Sequence, residues 1–237
     1  HIDPVWMWRW QEGFQEIKAT FRSVLDRMKE YEAFIFTGSS ASFYEWVEEN
    51  DPAMFEEIKE RVKEGRWIIV GGWWIQPDCN APSGESYVRQ GLYGQKYFEE
   101  KFGVKAVCGY NVDSFGHNGN LPQILKKSGM DYYVFMRPGR HEKGVDGETF
   151  LWKSADGSQV KAFRIPFEYC TWPEEIEEHV KRCAGEIKNP GNGIMCFYGV
   201  GNHGGGPTKR NIESILDMNK REDMPELIFA SPVDYFQ

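Results

Sequence analysis

Histidine and aspartate open the chain at the spacing of a metal-ligand pair. His1 and Asp3 are two residues apart, and side chains at positions i and i+2 of an extended segment point to the same side. An imidazole nitrogen and a carboxylate oxygen that face one point suit a divalent metal such as Zn²⁺. The competing interpretation is a surface pair near a frayed chain end.

A further carboxylate stands at the end of a predicted strand. Asp113 directly follows the segment 105–112, and Phe115 and His117 come next. In α/β folds the loops after the carboxyl ends of strands carry function, so Asp113 is a candidate third ligand. Capping of the following helix is the alternative role for this residue.

Two loops add further polar groups. Asp78 lies in a polar loop in which Ser83 is also suited to cap the next helix. The glycine-rich segment 199–206, which contains His203, lacks the Gly-Lys-Ser/Thr ending of a P-loop and the spacing G-x-G-x-x-G. It therefore does not indicate a nucleotide site, and its glycines would let the backbone approach another ligand.

The other histidines and the cysteines form no evident ligand set. His179 stands beside Glu177 and Glu178, and we expect it on the solvated face of a helix. The five cysteines are widely spaced without a C-x-x-C pair, which argues against a disulfide framework or a thiolate zinc site and favours a reducing compartment. They are Cys79, Cys108, Cys170, Cys183 and Cys196.

An alternation of strands and helices must position these residues. The recurrence of strand, loop and helix predicts a parallel sheet or barrel, with Arg137 at the end of one strand. Asp156-Gly157 between two apolar runs predicts a hairpin. Predicted strands cover 33–36, 66–70, 105–112, 131–136, 150–153, 160–164, 193–198 and 227–230; predicted helices cover 14–31, 42–64 with a break at 51–52, 83–102, 121–127, 173–188 and 207–221.

Composition narrows the class of protein. A chain of 237 residues fits one α/β domain, and a net charge of −8 argues against a nucleic-acid or anionic-membrane surface. No apolar run is long enough to predict a membrane span. The 9 Trp, 16 Phe and 11 Tyr, with 25 Gly, suit either a sugar-handling cleft or an aromatic core.

In this order the motifs resemble those of the family 38 glycoside hydrolases, the α-mannosidases. The matching segments are 1–8, 71–74 with 77–90, 112–117 and 199–208, and the glycine-rich loop is similar to that of the bacterial, vacuolar and cytosolic-type branch. The resemblance implies that residues 1–237 form a (β/α)7 barrel, the N-terminal catalytic region. It also implies downstream helical and β-sandwich domains that are absent from this chain.

The resemblance implies a chemistry as well. Terminal α-mannosides of glycans would be hydrolysed with retention of configuration, and Zn²⁺ or another divalent metal would be bound by His1, Asp3 and Asp113, with Asp113 also the nucleophile. A fourth ligand would lie beyond Gln237, so we expect this chain on its own to be inactive or weakly active.

Substrate-binding roles follow from the same resemblance. Trp6 and Phe115 match aromatic residues that line the sugar site, Arg137 matches a basic residue near the nucleophile, and Asp78 is a candidate hydroxyl binder.

The glycine-rich loop leaves one role open. Asn202 stands where related loops often carry an aspartate, and an amide cannot act as a general acid at neutral pH. Either another group supplies the acid, with His203 the nearest candidate, or the protein is slowed; His203 is also a candidate for contact with substrate. Two alternatives to an α-mannosidase remain open: a metal-dependent polysaccharide deacetylase of similar fold and a non-catalytic carbohydrate-binding fragment. The expected compartment of the protein is the cytoplasm.

Overall fold

The computed structural model describes residues 1–145, 147–189, 191–201 and 204–237. The chain divides into two compact units. The first unit comprises His1–Ile35 and Phe167–Ser231, and the second unit comprises Phe36–Pro166 and Pro232–Gln237.

The described strands form two open sheets, both in the second unit. They are β1 (Phe36–Gly38), β2 (Trp67–Ile69), β3 (Cys108–Asn111), β4 (Tyr132–Phe135), β5 (Thr149–Lys153) and β6 (Gln159–Arg164). β1 and β2 form a parallel pair. The other sheet has the order β3-β4-β6-β5, in which β3, β4 and β6 are parallel and β5 runs antiparallel to β6.

Eight helices occur in the described residues. They are α1 (Trp10–Glu30), α2 (Ala41–Asn50), α3 (Pro52–Lys63), α4 (Gly84–Phe102), α5 (Leu121–Lys127), α6 (Ile176–Ala184), α7 (Lys209–Met218) and α8 (Pro232–Phe236). The first unit contains α1, α6 and α7, and the second contains the rest. None of these helices combines the length and apolar character needed to cross a bilayer.

Side-chain caps fix several helix ends. The Asp51 carboxylate accepts a hydrogen bond from the Met54 amide at 3.2 Å, with Pro52 at the first position of α3. Ser83 caps α4 in the same way, as the sequence predicts, and α4 ends at Gly103, whose φ of 69° suits glycine. A capping box starts α7.

Each unit has its own apolar core. In the second unit, side chains from α4, α5 and the four-stranded sheet pack around the fully buried Trp73 and Tyr133. In the first unit, α6 and α7 pack through Ile176, Val180 and Ile215. Burial of such side chains, at about 1.5–3 kcal/mol each, supplies the main stabilisation of both units.

The structure confirms a mixed α/β fold but does not confirm the predicted (β/α)7 barrel, because both described sheets are small and open. The hairpin around Asp156-Gly157 is confirmed as β5 and β6. The strands predicted at 193–198 and 227–230 are wrong. Their alternating apolar residues, including Cys196 and Phe229, pack on α6 and α7 without a partner strand.

Candidate functional site

Asp113 and Arg137 meet at the carboxyl end of two parallel strands. Asn111 of β3 pairs in register with Phe135 of β4, an offset of 24 residues, and the same offset separates Asp113 from Arg137. Asp113 and Arg137 therefore each lie two positions beyond the end of their strand, at the same edge of the sheet. The Arg137 Nε–H donates to Asp113 Oδ1 at 2.8 Å. The parallel register thus produces a charge-assisted hydrogen bond.

An aromatic ring also contacts the guanidinium of Arg137. The guanidinium carbon of Arg137 lies 4.7 Å from the centroid of the Phe115 ring, a cation–π contact. The Phe115 side chain is 79% exposed, whereas that of Asp113 is 20% exposed. The arrangement holds a half-buried carboxylate beside a solvent-facing aromatic ring.

His117 contacts the backbone of Arg137. Its Nε2 lies 2.6 Å from the backbone oxygen of Arg137. Because a carbonyl can only accept, Nε2 carries the proton, and Nδ1 then accepts from the Tyr133 hydroxyl at 3.0 Å. Burial lowers the pKa of His117 to about 4, so the ring is neutral near pH 7. The neutral imidazole fixes the backbone from which Arg137 extends.

Asn111 connects the loop after β2 to the end of β3. Its side chain is completely buried, and its Oδ1 accepts from Trp73 Nε1 at 2.9 Å. Its Nδ2 lies 3.3 Å from the Pro77 oxygen and from Cys79 Sγ, and 3.4 Å from Ser114 Oγ. One asparagine thereby pairs with buried groups of the loop after β2 and with Ser114, the residue that follows Asp113.

Asp78 shapes the loop in which it lies. Its Oδ1 accepts from the backbone amides of Asn80 at 2.8 Å and Ala81 at 2.7 Å. These two hydrogen bonds lower the pKa of Asp78, so the carboxylate is ionised. The structure gives Asp78 a loop-forming role that its sequence context does not indicate.

His1 and Asp3 are together in the first unit. His1 Nε2 and Asp3 Oδ1 lie 3.0 Å apart, and the His1 ring contacts the edge of Tyr169 at a centroid distance of 5.4 Å. Trp8 Nε1 donates to the backbone oxygen of Asp3 at 3.0 Å. The extended H-x-D segment therefore presents both side chains at one point, as the spacing predicts.

A helical glycine makes room for this segment. A Cβ on Gly13 in α1 would lie 1.9 Å from the backbone oxygen of Pro4, so only glycine allows the segment 1–8 to lie against α1. Trp6 in this segment is 55% exposed and packs edge to face on Trp8 at 5.4 Å. Trp6 is thus an exposed aromatic residue whose ring packs against Trp8.

The donor types at His1 and Asp3 fit a divalent metal. Zinc in catalytic sites is bound by imidazole nitrogen and carboxylate oxygen at about 2.0–2.2 Å, and two such ligands of one ion lie roughly 3 Å apart. The separation of 3.0 Å between Nε2 and Oδ1 matches that requirement. The pair can therefore supply two ligands to one ion.

The predicted site residues fall into two groups by unit. Asp78, Asp113, Phe115 and Arg137 belong to the second unit, and His1, Asp3 and Trp6 to the first. Asn202 and His203 lie outside the described residues.

Sequence reasoning missed the supporting residues. Asn111 and Tyr133 lie in predicted strands and carry no signal of a further role, and Tyr169 follows no recognised motif.

The expectation of a solvated position for His179 is wrong, because its ring is buried and lies 3.7 Å from Cys183 Sγ. The spacing i, i+4 between the two on one helix is the signal that could have revealed this pair.

Comparisons with known proteins agree with these motifs. The sequence model of the Glycosyl hydrolases family 38 N-terminal domain matches residues 1–237. Alpha-mannosidase G of Dictyostelium discoideum is 33% identical over 239 residues, which cover 100% of this chain and 22% of the relative. Alpha-mannosidase 2C1 of Homo sapiens is 30% identical over 238 residues, covering 100% of this chain and 23% of the relative.

Solved structures also resemble this chain. An alpha-mannosidase from Enterococcus faecalis V583 superposes with a TM-score of 0.83 at 23% identity, covering 100% of this chain and 28% of that one. The chain thus spans about a quarter of the length of these relatives. Because the family model matches the whole chain and relatives at 30% identity or more align with all of it, this chain belongs to glycosyl hydrolase family 38 and corresponds to its N-terminal domain.

Proposed function

We propose that the protein is a retaining α-mannosidase that hydrolyses terminal α-mannosides of glycans, with Asp113 as the nucleophile. The observation that carries the proposal is the hydrogen bond of 2.8 Å between Arg137 and Asp113 at a strand end of a family 38 chain. Family membership favours glycoside hydrolysis over the deacetylase alternative. The carbohydrate-binding alternative differs from the proposal in predicting no turnover.

The proposed reaction has two displacements at the anomeric carbon. In the first, an oxygen of Asp113 forms a bond to C1 of the mannose while the bond from C1 to the glycosidic oxygen breaks, and a general acid protonates the leaving oxygen. In the second, water attacks C1, gives its proton to the same group acting as base, and releases the Asp113 carboxylate. Two inversions at C1 return the original configuration.

Arg137 keeps the nucleophile ready for attack. A guanidinium does not lose its proton in proteins, so the Arg137 Nε–H always remains able to donate to Asp113 Oδ1. The cation–π contact with Phe115 and the His117 contact to the Arg137 backbone restrict where the guanidinium lies. We therefore assign Arg137 the role of orienting the Asp113 carboxylate.

The metal ligands proposed are His1, Asp3 and Asp113. A bound Zn²⁺, or another divalent ion, would act as a Lewis acid toward substrate hydroxyls. The 3.0 Å approach of His1 Nε2 to Asp3 Oδ1 supports two of these assignments, and the carboxylate chemistry of Asp113 supports the third.

The remaining binding roles rest on exposure and chemistry. Trp6 and Phe115 are exposed aromatic residues on which a sugar ring could stack. Asp78 is an exposed ionised carboxylate able to accept from sugar hydroxyls, and His203 in the glycine-rich loop is assigned to the same task.

We retain the (β/α)7 barrel as the proposed architecture and the cytoplasm as the proposed compartment. Among the described residues the five cysteines form no disulfide, which supports a reducing environment.

Hydrolysis of an aryl α-mannoside tests the proposal. We expect the purified protein to release the phenol slowly, in keeping with the weak activity expected of this chain on its own, to lose this activity when a chelator removes the metal, and to regain it with Zn²⁺. The matching aryl β-mannoside is the control and should not be cleaved. Release of acetate from an acetylated polysaccharide would support the deacetylase alternative, and binding of mannosides without cleavage would support the carbohydrate-binding alternative.

A further inference from the structure

Three metal-binding side chains converge in the first unit, and none of them is among the residues assigned above to the catalytic site. They are His179 and Cys183 of α6 and Cys196 of the segment that follows α6. One ligand atom from each lies within 4.8 Å of the other two. Within the part of the chain that the structure describes, no other group of three or more histidine, cysteine or acidic side chains meets this condition.

The helix explains why two of the three meet. Residues four apart on an α-helix lie on the same face, and the face of α6 that carries His179 and Cys183 is the buried one, together with Ile176 and Val180. His179 is 5% exposed and Cys183 is 2% exposed. Two ligands are thus held at a fixed separation by a rigid element.

Cys196 reaches the same point from a segment with no strand pairing. It packs against the α6 and α7 core beside Tyr198. The hydroxyl oxygen of Tyr198 is buried and has no hydrogen-bond partner within the described residues. Buried polar atoms are nearly always paired.

The separations suit a tetrahedral ion with nitrogen and sulfur ligands. Bond lengths of about 2.0–2.1 Å to nitrogen and about 2.3 Å to sulfur place tetrahedral ligand atoms roughly 3.5–3.8 Å apart. His179 Nε2 and Cys183 Sγ are 3.7 Å apart. The two side chains therefore already hold the spacing that a zinc ion would impose on them.

We propose that His179, Cys183 and Cys196 form a binding site for a soft divalent cation of the zinc class, separate in its ligands from the site at His1 and Asp3. Three protein ligands leave the fourth position for water. The ion would join α6 to the segment 193–198, which no strand pairing holds, and this segment leads directly into the glycine-rich loop 199–206. We infer a structural role, in which the ion sets the path of the chain into that loop.

Cobalt absorption distinguishes this site from the one proposed for catalysis. Thiolate ligands give Co²⁺ an intense charge-transfer band in the near ultraviolet, whereas imidazole and carboxylate ligands do not. We expect the reduced, metal-free protein to develop this band on addition of Co²⁺ and to lose it when Zn²⁺ displaces the cobalt. Absence of the band in the reduced protein would overturn the proposal.

Variants assign the band to its ligands. Cys183→Ser and Cys196→Ser should each weaken Co²⁺ binding at the sulfur-containing site by at least about tenfold, because each removes one of three protein ligands. Cys170→Ser is the matched control in the same unit and should leave the band unchanged. A band of unaltered strength in both ligand variants would overturn the assignment.

Alkylation of the unaltered protein gives a readout that does not depend on how the variants fold. Mass spectrometry of peptides from protein treated with iodoacetamide should show Cys183 and Cys196 protected by Zn²⁺, with Cys170 modified to the same extent with and without the ion. Equal modification of Cys183 and Cys196 in both conditions would contradict the proposal.

Discussion

Arg137 donates to Asp113 across two neighbouring parallel strands, and the two residues are separated by the same 24 positions that define the strand register. Neither residue lies in a strand, yet the sheet fixes their approach. Substitution of Arg137 should therefore change how the Asp113 carboxylate is held, without disturbing the sheet.

Replacement of Arg137 by lysine tests its orienting role. Lysine retains the positive charge but lacks the Nε–H donor and the planar group that lies over Phe115. Loss of a hydrogen bond to a charged group is worth about 1.5–3 kcal/mol, so kcat/KM for an aryl α-mannoside should fall about 10- to 100-fold. Arg89→Lys is the control, because the Arg89 Nε also contacts a carboxylate, that of Glu85, at an exposed helix face. An equal effect of both substitutions would argue against the assignment.

The stability of the protein should decrease between pH 7 and pH 4 because of His117. Burial lowers its pKa to about 4, below the value near 6.5 of an unfolded chain. In this window the unfolded state binds the proton and the folded state does not. The stability associated with the neutral ring is therefore complete above about pH 6.5 and is lost as the pH falls toward 4, by roughly 3 kcal/mol in total.

His117→Gln isolates this contribution. The difference in free energy of unfolding between the unaltered protein and His117→Gln, measured by urea titration at several pH values, should change by that amount across the window. His141→Gln, at an exposed histidine of the same unit, is the control and should follow the unaltered protein. Parallel stability curves for the unaltered protein and His117→Gln would contradict the account.

Asn111→Ala should destabilise the second unit. The substitution leaves the Trp73 indole N–H and the Pro77 carbonyl buried without this partner, and an unsatisfied buried group costs about 1–3 kcal/mol. We expect a loss of about 2–4 kcal/mol in chemical denaturation. Asn50→Ala removes an exposed side-chain hydrogen bond to Trp46 and should cost less than about 1 kcal/mol. Equal losses would show that the Asn111 contacts contribute little.

His1→Ala should reduce metal content more than stability. His1 supplies one proposed ligand at the start of the chain, and its ring also contacts the edge of Tyr169. Elemental analysis should show less bound zinc than in the unaltered protein, whereas the melting temperature of the metal-free form should stay close to that of the unaltered metal-free protein. Undiminished zinc in the purified variant would rule out His1 as a ligand.

The sequence predicts most local structure because its signals are local. Ser83 and Gly103 bound α4 through a cap and a positive φ, and Asp156-Gly157 forms the turn of the β5–β6 hairpin. The position of Asp113 after one strand and of Arg137 after the next also follows from periodicity. The contact between them depends on strand register, which local patterns do not specify.

The remaining features depend on tertiary packing. The alternating apolar residues around Cys196 read as a strand, but they contact helices, and the same pattern serves both purposes. Glu177 and Glu178 indicate a polar helix face near His179, yet His179 lies on the opposite, buried face. Asn111 gives no signal in the sequence, because its role arises from four groups that the fold brings to it.

Covalent trapping of the nucleophile tests the central claim most directly. A 2-deoxy-2-fluoro or 5-fluoro mannosyl fluoride should react with the metal-loaded protein and leave a mannosyl ester whose hydrolysis is slow. Mass spectrometry of peptides should place the added mass on Asp113, and Asp113→Asn should acquire no label. A label on another carboxylate, or no label on metal-loaded protein that still hydrolyses an aryl α-mannoside, would contradict the assignment of Asp113 as the nucleophile.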